Sequence, residues 1–311
     1  MTNIIKPVNK ELIKKELTPE KFLRYTHALN NSIYVFDAES APNTMLELGR
    51  LRELTFRSAG GGTGAEVDID DYDKKKNLFK QLIVWNNEKE EIISSYRYCL
   101  GYQATIESNG NPDTPLSHLF RFSDEFVKTI WPKCIELGRS FVQPNYQAGN
   151  NKRESLFALD NIWDGLGALI VNYPQIEYFA GRMTLYNNYN RTARNLILDF
   201  LETHYKGDSA LLHPIHPSID NRIPVTIYKK FTSEEEFKEA FKKLNREILS
   251  LDEHIPPLIK TYMSLSPTIQ CFGITPNPEF GPVEEISILI KIKDIYEKKV
   301  ARHVDSYQPQ K

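Results

Sequence analysis

Short β-type runs alternate along this chain with longer runs of helical period, and no clean linker divides them into separate blocks. Residues 32–36 (SIYVF), 81–86, 91–100, 136–142, 176–185, 269–274 and 284–292 read as strands. Residues 45–56, 122–137, 155–173 and 190–205 read as helices, with one more ending at Ser250 and another following Pro256–Pro257. That order predicts a single α/β domain, and hairpin-like neighbours early and late make its sheet mixed rather than purely parallel.

The residues up to about Leu29 read as a charged helical extension, with Thr18 before Pro19 as a helix start. The expected organisation is an extension over 1–30, a domain over 31–305 and a tail over 306–311. An insertion at about 206–250 opens with the Pro/His-rich residues 206–221. Thr232 and Glu235 form a capping box for the helix ending at Ser250. Gly165 and Gly167 would let the helix over 155–173 approach a neighbouring backbone closely.

A net charge of −2 and a pI near 6.4 argue against a general nucleic-acid binder. The three cysteines, Cys99, Cys134 and Cys271, lack disulfide-framework or zinc spacing and point to a reducing compartment. The first residues lack the apolar core of a signal peptide, and the longest apolar stretch is broken by Asp160, Asn161 and Asp164. A soluble cytoplasmic protein is expected. No HExxH, GxSxG or calcium-loop pattern appears, so no metal site and no hydrolase triad is supported.

The unusual residues are charges inside apolar elements. Glu136 and Arg139 lie in ELGRSFV, Arg97 lies in IISSYRYCL, and Arg52, Phe56 and Arg57 share a helix in ELGRLRELTFR. Such charges are costly to bury unless they are paired or at work. Residues three apart on a strand point to opposite faces, so a simple Glu136–Arg139 pair would need a bulge. Two readings stand: an ion-pair network with Arg52 or Arg97, or a shared polar centre with chemistry of its own. The glycine run at 60–64 is not followed by Lys-Ser/Thr and leads into acidic residues, so it reads as a mobile loop rather than a phosphate cradle. Asp68, Asp70, Asp71 and Asp73 read as a solvated turn, or as carboxylates of which one or two hold a substrate ammonium group.

These segments together resemble a known family. GRLRELTFR (49–57), GGGTGAEVDIDDYD (60–73), QLIVWN (81–86), SSYRYCLG (94–101), ELGRSFVQPNYQ (136–147), IPPLIKTYMSL (255–265) and Arg302–His303 resemble, in that order, the N-acyltransferases of ornithine- and glycine-lipid synthesis. That family lies within the GNAT superfamily and is akin to the acyl-homoserine-lactone synthases. The resemblance implies a GNAT-like fold with a mixed central sheet flanked by helices. It also implies transfer of a 3-hydroxyacyl chain from an acyl carrier protein thioester to the α-amino group of glycine or ornithine, giving a lyso-aminolipid. The carrier protein and the amino acid are the implied partners, with peripheral contact at the inner membrane, no nucleic acid and no bound cofactor.

By position, the related synthases' functional residues map onto Arg52, Phe56, Asp68, Asp71, Arg97, Glu136 and Arg139. The Trp that those synthases carry soon after the first helix is replaced here by the glycine run. The pyrophosphate-binding loop of CoA-dependent GNAT enzymes is only faintly echoed at residues 147–151, which weakens CoA as the donor and is compatible with a carrier-protein thioester. In this reading Glu136 accepts the amine's proton. Backbone N–H groups beside Ser140, Phe141 and Val142 stabilise the oxyanion. Arg52, Arg97 or Arg139 holds the acceptor's carboxylate, while Arg57 helps frame the acceptor side. The helix over 155–173 lines an acyl tunnel or is ordinary core. Residues 74–76 and 152–153 dock an acidic carrier or form solvated faces. The rival readings are a CoA-dependent small-molecule N-acetyltransferase and a non-catalytic, haemolysin-like membrane-associating protein.

Overall fold

The two strand runs between residues 79 and 100 are buried at nearly every position, and strands of that kind need a covering layer on both faces. The computed structural model of the chain describes residues 1–75, 77–147, 152–218, 231–232 and 236–309, without the side chains of 152, 153 and 156. Lys76, Glu235, residues 148–151 and 219–221, and the side chains of Lys152 and Arg153 therefore lie outside the described residues.

In chain order the elements are α1 (Lys10–Glu16), β1 (Phe22–Tyr25), β2 (Ser32–Phe36), α2 (Pro42–Ala59), α3 (Asp71–Lys74), β3 (Phe79–Asn86), β4 (Glu91–Leu100), β5 (Phe120–Phe122) and β6 (Cys134–Val142). They continue with α4 (Lys152–Asn172), β7 (Tyr178–Tyr186), α5 (Arg191–His204), β8 (Leu212–Pro214), α6 (Phe237–Leu249), α7 (Pro257–Met263), β9 (Gln270–Pro276), β10 (Val283–Lys291) and α8 (Glu297–His303). The chain divides into two compact units. The first comprises Met1–Thr105, Trp131–Glu177 and Tyr296–Lys311, and the second comprises Ile106–Ile130 and Tyr178–Ile295.

In the first unit β1, β2, β3, β4 and β6 lie side by side, each antiparallel to the next. Helix α4 covers one face: Gly165 lies where a Cβ would come within 2.7 Å of the Leu82 side chain, and Ser94 Oγ donates to the Ala158 carbonyl at 3.4 Å. Helix α2 covers the other face. Its first turn is capped from outside by Glu16, whose carboxylate accepts from Asn43 N at 3.0 Å and Thr44 N at 2.7 Å, satisfying amides a helix start leaves open. Its last turn closes on Gly60, at φ 102°, a conformation that suits glycine.

Helix α8 docks where the second of the paired glycines was expected to permit close approach. A Cβ on Gly167 would lie 2.1 Å from the His303 carbonyl oxygen. The His303 ring is buried, with Nδ1 2.7 Å from Asp164 Oδ1 and Nε2 3.5 Å from Asp160. Arg302 and Lys299 also face Asp160, and Arg24 donates to the His303 carbonyl at 3.0 Å. Burial disfavours the charged imidazole, but the two aspartates outweigh it and raise its pKa above 6.5. A raised folded value means that the stabilisation is fully present below 6.5 and is lost as pH rises through that higher value. Amide exchange in α8, corrected for its intrinsic pH dependence, is therefore expected to show protection falling above pH 6.5. A His303→Gln chain should show no such fall, and equal wild-type protection at pH 6 and pH 8.5 would contradict the assignment.

In the second unit β10 is flanked by β7 and β9, antiparallel to both, and β5 pairs with β8. Phe200 of α5 packs against Phe231, Phe237 and Phe241, joining α5 to α6.

Several expectations are corrected. The helical extension stops at Glu16, because Pro19 opens only a single 3-10 turn and Phe22–Tyr25 is taken into the sheet beside β2. The helix expected over 122–137 is strand β5, a π-type turn at Phe126–Ile130 and a 3-10 turn at Trp131–Lys133, after which Cys134 already belongs to β6. Pro132 cannot donate in the middle of a helix. Helix α6 begins at Phe237 with Glu236 as its flanking residue and no side-chain cap. Among the described residues no helix is long and apolar enough to cross a membrane.

Candidate active site

The bulge that a Glu136–Arg139 arrangement would require is present. β4 advances two residues from Ser95 to Arg97 while β6 advances three, from Gly138 to Phe141, and Arg139 sits at φ 50°. The extra residue redirects the Arg139 side chain. Directly opposed residues share a face of a sheet, as do alternate residues along a strand. Gln81 opposes Arg97, Arg97 opposes Gly138, and Cys99 opposes Glu136. Gln81, Arg97 and Glu136 are therefore on one face, and that face is the one under α2.

Three arginines and three aspartates interlock there. Arg52, fully buried on α2, shares Nη1 between both oxygens of Asp73 at 3.1 Å and gives Nη2 to Gln81 at 2.5 Å. Arg97 Nη1 lies 2.5 Å from Asp70 and 3.2 Å from Asp73. Arg139 pairs with Asp68 at 2.9 Å and Asp70 at 3.3 Å. The aspartates are positioned by a reciprocal cap: Asp70 accepts from Asp73 N, and Asp73 accepts from Asp70 N. The solvated turn expected at 68–73 is thus corrected for Asp68 and Asp73, which are buried because each meets a guanidinium.

Burial opposes ionisation of Asp73, but Arg52 and Arg97 outweigh it and hold the carboxyl well below the usual carboxylate range. Asp68 goes the other way: complete burial pushes it up by more than Arg139 and Arg52 pull it back. Arg97 is held in its charged form by Asp73 and Asp70 despite its burial.

The remaining candidates divide by position. Phe56 meets Phe141 edge to face, with centroids 6.2 Å apart, between α2 and β6. Ser140 is half-buried beside Phe141 on β6. Glu136 is 4% exposed and lies on the same face of the sheet as Gln81 and Arg97. Cys99 and Cys134 flank it, and both thiols are pushed well up, first by burial and then by the charge of Glu136. Cys271 is likewise pushed up by burial, to about 12. No cysteine is poised as a thiolate nucleophile.

Arg57 and Asp71 are not brought into the cluster. Asp71 is on the surface, 3.3 Å from Lys74, with its carboxylate 93% exposed. Arg57 braces Glu53 at 2.7 Å and donates to the carbonyls of Thr2 and Ala65. Glu53 in turn accepts from Thr63 N, Thr63 Oγ1 and Gly64 N at 2.8 to 3.0 Å. The glycine run expected to be mobile is therefore wrapped around a buried carboxylate.

Sequence reading named Asp70 and Asp73 only as members of the acidic run, not as partners of the arginines, and missed Gln81 and Glu53. The signal for the aspartates was available: an Asp-x-x-Asp spacing at a helix start is the pattern of a reciprocal cap. Gln81 was a lone amide at the head of an apolar strand. Among the described residues, no group of three or more His, Cys, Asp or Glu side chains is placed to hold a metal ion.

Residues 51–154 match the family description of an acetyltransferase (GNAT) domain. A glycine N(alpha)-acyltransferase of Bacteroides thetaiotaomicron is 49% identical over 307 residues, covering 99% of this chain and 91% of that protein. A glycine N(alpha)-acyltransferase of Phocaeicola vulgatus is 46% identical over 310 residues, covering 100% of this chain and 95% of that protein. Among solved structures, the AHL synthase LasI overlaps with a TM-score of 0.36 at 11% identity, covering 92% of this chain and 99% of its own. An aminoglycoside 6'-N-acetyltransferase complexed with coenzyme A overlaps with a TM-score of 0.34 at 10% identity, covering 84% and 96%.

Proposed function

The chain belongs to the GNAT-superfamily family of amino-acid N-acyltransferases that holds these two full-length relatives, and on that premise we propose that it acylates the α-amino group of glycine. It is an acyltransferase enzyme with the GNAT fold, a mixed sheet flanked by helices. The full-length similarity to two glycine N(alpha)-acyltransferases carries the choice of acceptor. The donor in this reading is a 3-hydroxyacyl thioester of an acyl carrier protein, and the product is an N-acylglycine, a lyso-aminolipid released beside the membrane.

The proposed chemistry uses the face under α2. Glycine's amine is largely protonated near neutral pH and must lose a proton before it can attack. Glu136 takes that proton, directly or through a water. The nitrogen then bonds to the thioester carbonyl carbon, and the oxyanion is met by backbone N–H groups of the β6 bulge around Arg139 and Ser140. Collapse breaks the C–S bond, and the thiolate leaves with the second amine proton. Because the thiols are buried and neutral, transfer is direct rather than through an acyl-cysteine. Phe56 and Phe141 shield the face from water, and the Arg52, Arg97, Arg139 and Asp68, Asp70, Asp73 lattice fixes it. Arg57 and Asp71 act at a distance, as a brace of the glycine loop and as part of the surface.

Purified protein supplied with glycine or ornithine, and with one 3-hydroxyacyl chain on carrier protein or on CoA, is expected to give N-acylglycine from the carrier thioester. Mass spectrometry reads the product. Failure to form any N-acylglycine would overturn the acceptor, and equal rates from CoA would overturn the donor.

A further inference from the structure

A cavity of about 810 Å³ opens within the second unit, beside the paired ends of β9 and β10. Its floor follows from strand register. Glu284 of β10 opposes Pro276 of β9, and Ile286 opposes Ile274, so Glu284, Pro276 and Ile274 share one face of the sheet. Helix α5 lies over that face and is tied to it by Arg194, which donates to Glu284 from Nε at 2.5 Å and from Nη2 at 2.6 Å. Arg191, Arg194 and Leu198 are spaced three and four residues apart, so one side of α5 lines the space. The opposite wall is the stretch 216–218. It is held to β9 by Ser218 N donating to the Ile274 carbonyl at 3.0 Å and by Thr275 Oγ1 donating to the His216 carbonyl at 2.7 Å.

The charges around this cavity do not cancel. Both oxygens of the Glu284 carboxylate are taken, by Arg194 and by Ser218 Oγ at 2.7 Å. Burial opposes its ionisation, but Arg194 and Ser218 outweigh burial, and the charge of Arg191 adds to them. Every nitrogen of Arg194 is also in use, since Nη1 donates to Asn195 Oδ1 at 2.8 Å. Arg191 differs. Among the described residues its guanidinium makes no hydrogen bond and no ion pair, and the His216 ring makes none either. One cation is therefore left over beside walls built from Leu198, Ile274, Pro276 and Pro278.

That combination selects an occupant. A single free guanidinium suits a carboxylate, which it can meet with two parallel hydrogen bonds. A phosphate dianion would ask for a second cation and would find Arg194 already paired. The volume lies in the ~300–1,000 Å³ range of cavities that take whole organic ligands, far more than a small ion fills. Roughly 10 Å of helix separates Arg191 from Leu198, so the charge sits at one end and apolar wall extends from it. We infer that this cavity binds an amphiphilic carboxylate, with Arg191 on the head group and the chain along Leu198, Ile274 and Pro276. Two sources share that chemistry: a free fatty acid and an N-acyl amino acid, the latter being the product of the reaction proposed above. The binding itself does not depend on that reaction.

Calorimetric titration of the full chain, with neither acyl donor nor glycine present, tests the site with decanoate, N-decanoylglycine, hexanoate and 1-decanol below their aggregation thresholds. Decanoate is expected to bind saturably, and hexanoate at least about tenfold more weakly, since each methylene taken from water is worth roughly fourfold. Arg191→Gln should weaken decanoate by about tenfold, the lower end for a hydrogen bond to a charged group, and leave 1-decanol unchanged. Arg191→Lys should recover part of the loss, and Arg191→Glu should weaken decanoate further while still sparing 1-decanol. Arg191 is exposed, so all three variants should keep the wild-type urea midpoint. No saturable binding of decanoate, or decanoate binding that both Arg191→Gln and Arg191→Glu leave unchanged, overturns the site. Tighter binding of N-decanoylglycine than of decanoate assigns the site to the product, and the reverse order assigns it to free fatty acid. Decanoate binding that depends on Arg191, in a protein that forms no N-acylglycine, would instead count against the proposed reaction alone.

Discussion

Glu136→Gln is expected to lower N-acylglycine formation by roughly 10²- to 10⁴-fold, the usual range for a positioned general base, with little change in the urea midpoint. Glutamine keeps the size of the side chain and its place opposite Cys99 on β6, but it cannot accept the ammonium proton. The remaining rate should then depend on amine already deprotonated in solution. It should climb with pH toward the amine's own pKa, where the wild type levels off. Glu136→Asp keeps a carboxylate on a shorter arm and should fall between the two.

The charge arrangement is the reason to expect a chemical rather than a structural loss. Arg52, Arg97 and Arg139 each pair with one or two of Asp68, Asp70 and Asp73, and Gln in place of Glu136 leaves those ion pairs intact. A purified Glu136→Gln enzyme that forms product at the wild-type rate, with the wild-type pH profile, would assign the proton acceptor to another group.

The polar centre was legible in the sequence because Arg52, Arg97 and Glu136 stood out as charges within apolar periodicity. What periodicity could not supply was their pairing. The turn at 68–73 reads as solvent-facing when only its composition is considered. Only the close packing of the 68–69 segment on α2, where Gly49 leaves room for Ile69, brings Asp68 under cover, while Arg52 and Arg97 hold Asp73. The Arg139 bulge was likewise conditional, since a strand's own sequence does not say where its neighbour skips a residue. Strand ends were read to within a few residues where β-branched and aromatic residues are dense, as in β2 and β4. The region from Phe120 to Lys133 failed because short turns of different pitch keep apolar residues at helix-like spacing.

Asp73→Ala is expected to destabilise the protein by about 3–5 kcal/mol, the cost of stranding buried charge, and Asp73→Asn by less, because the amide keeps part of the hydrogen bonding. The carboxylate accepts from Arg52, Gln81 and the Asp70 amide and lies 3.2 Å from Arg97. Without it the fully buried Arg52 keeps, among the described residues, only Gln81 and the Asp68 carbonyl. A loss of that size is a third or more of the ~5–15 kcal/mol that holds a typical domain together. It should appear as a lowered urea midpoint with an unchanged slope. Because the folded carboxyl titrates below its ordinary value of 3.8, its stabilisation is present above 3.8 and is lost as pH falls through the lower folded value. The wild type should therefore hold this contact in mild acid, while Asp73→Ala is weakened at neutral pH already. Asp68, pushed up by burial, opposes that trend, since it disfavours the folded state once it ionises. The pair together should give a shallow acid limb rather than a steep one. A midpoint for Asp73→Ala within about 1 kcal/mol of wild type, small beside the 3–5 kcal/mol expected, would mean that α2 is held to the sheet by Phe56, Leu48 and Leu51 alone and that the lattice serves orientation rather than stability.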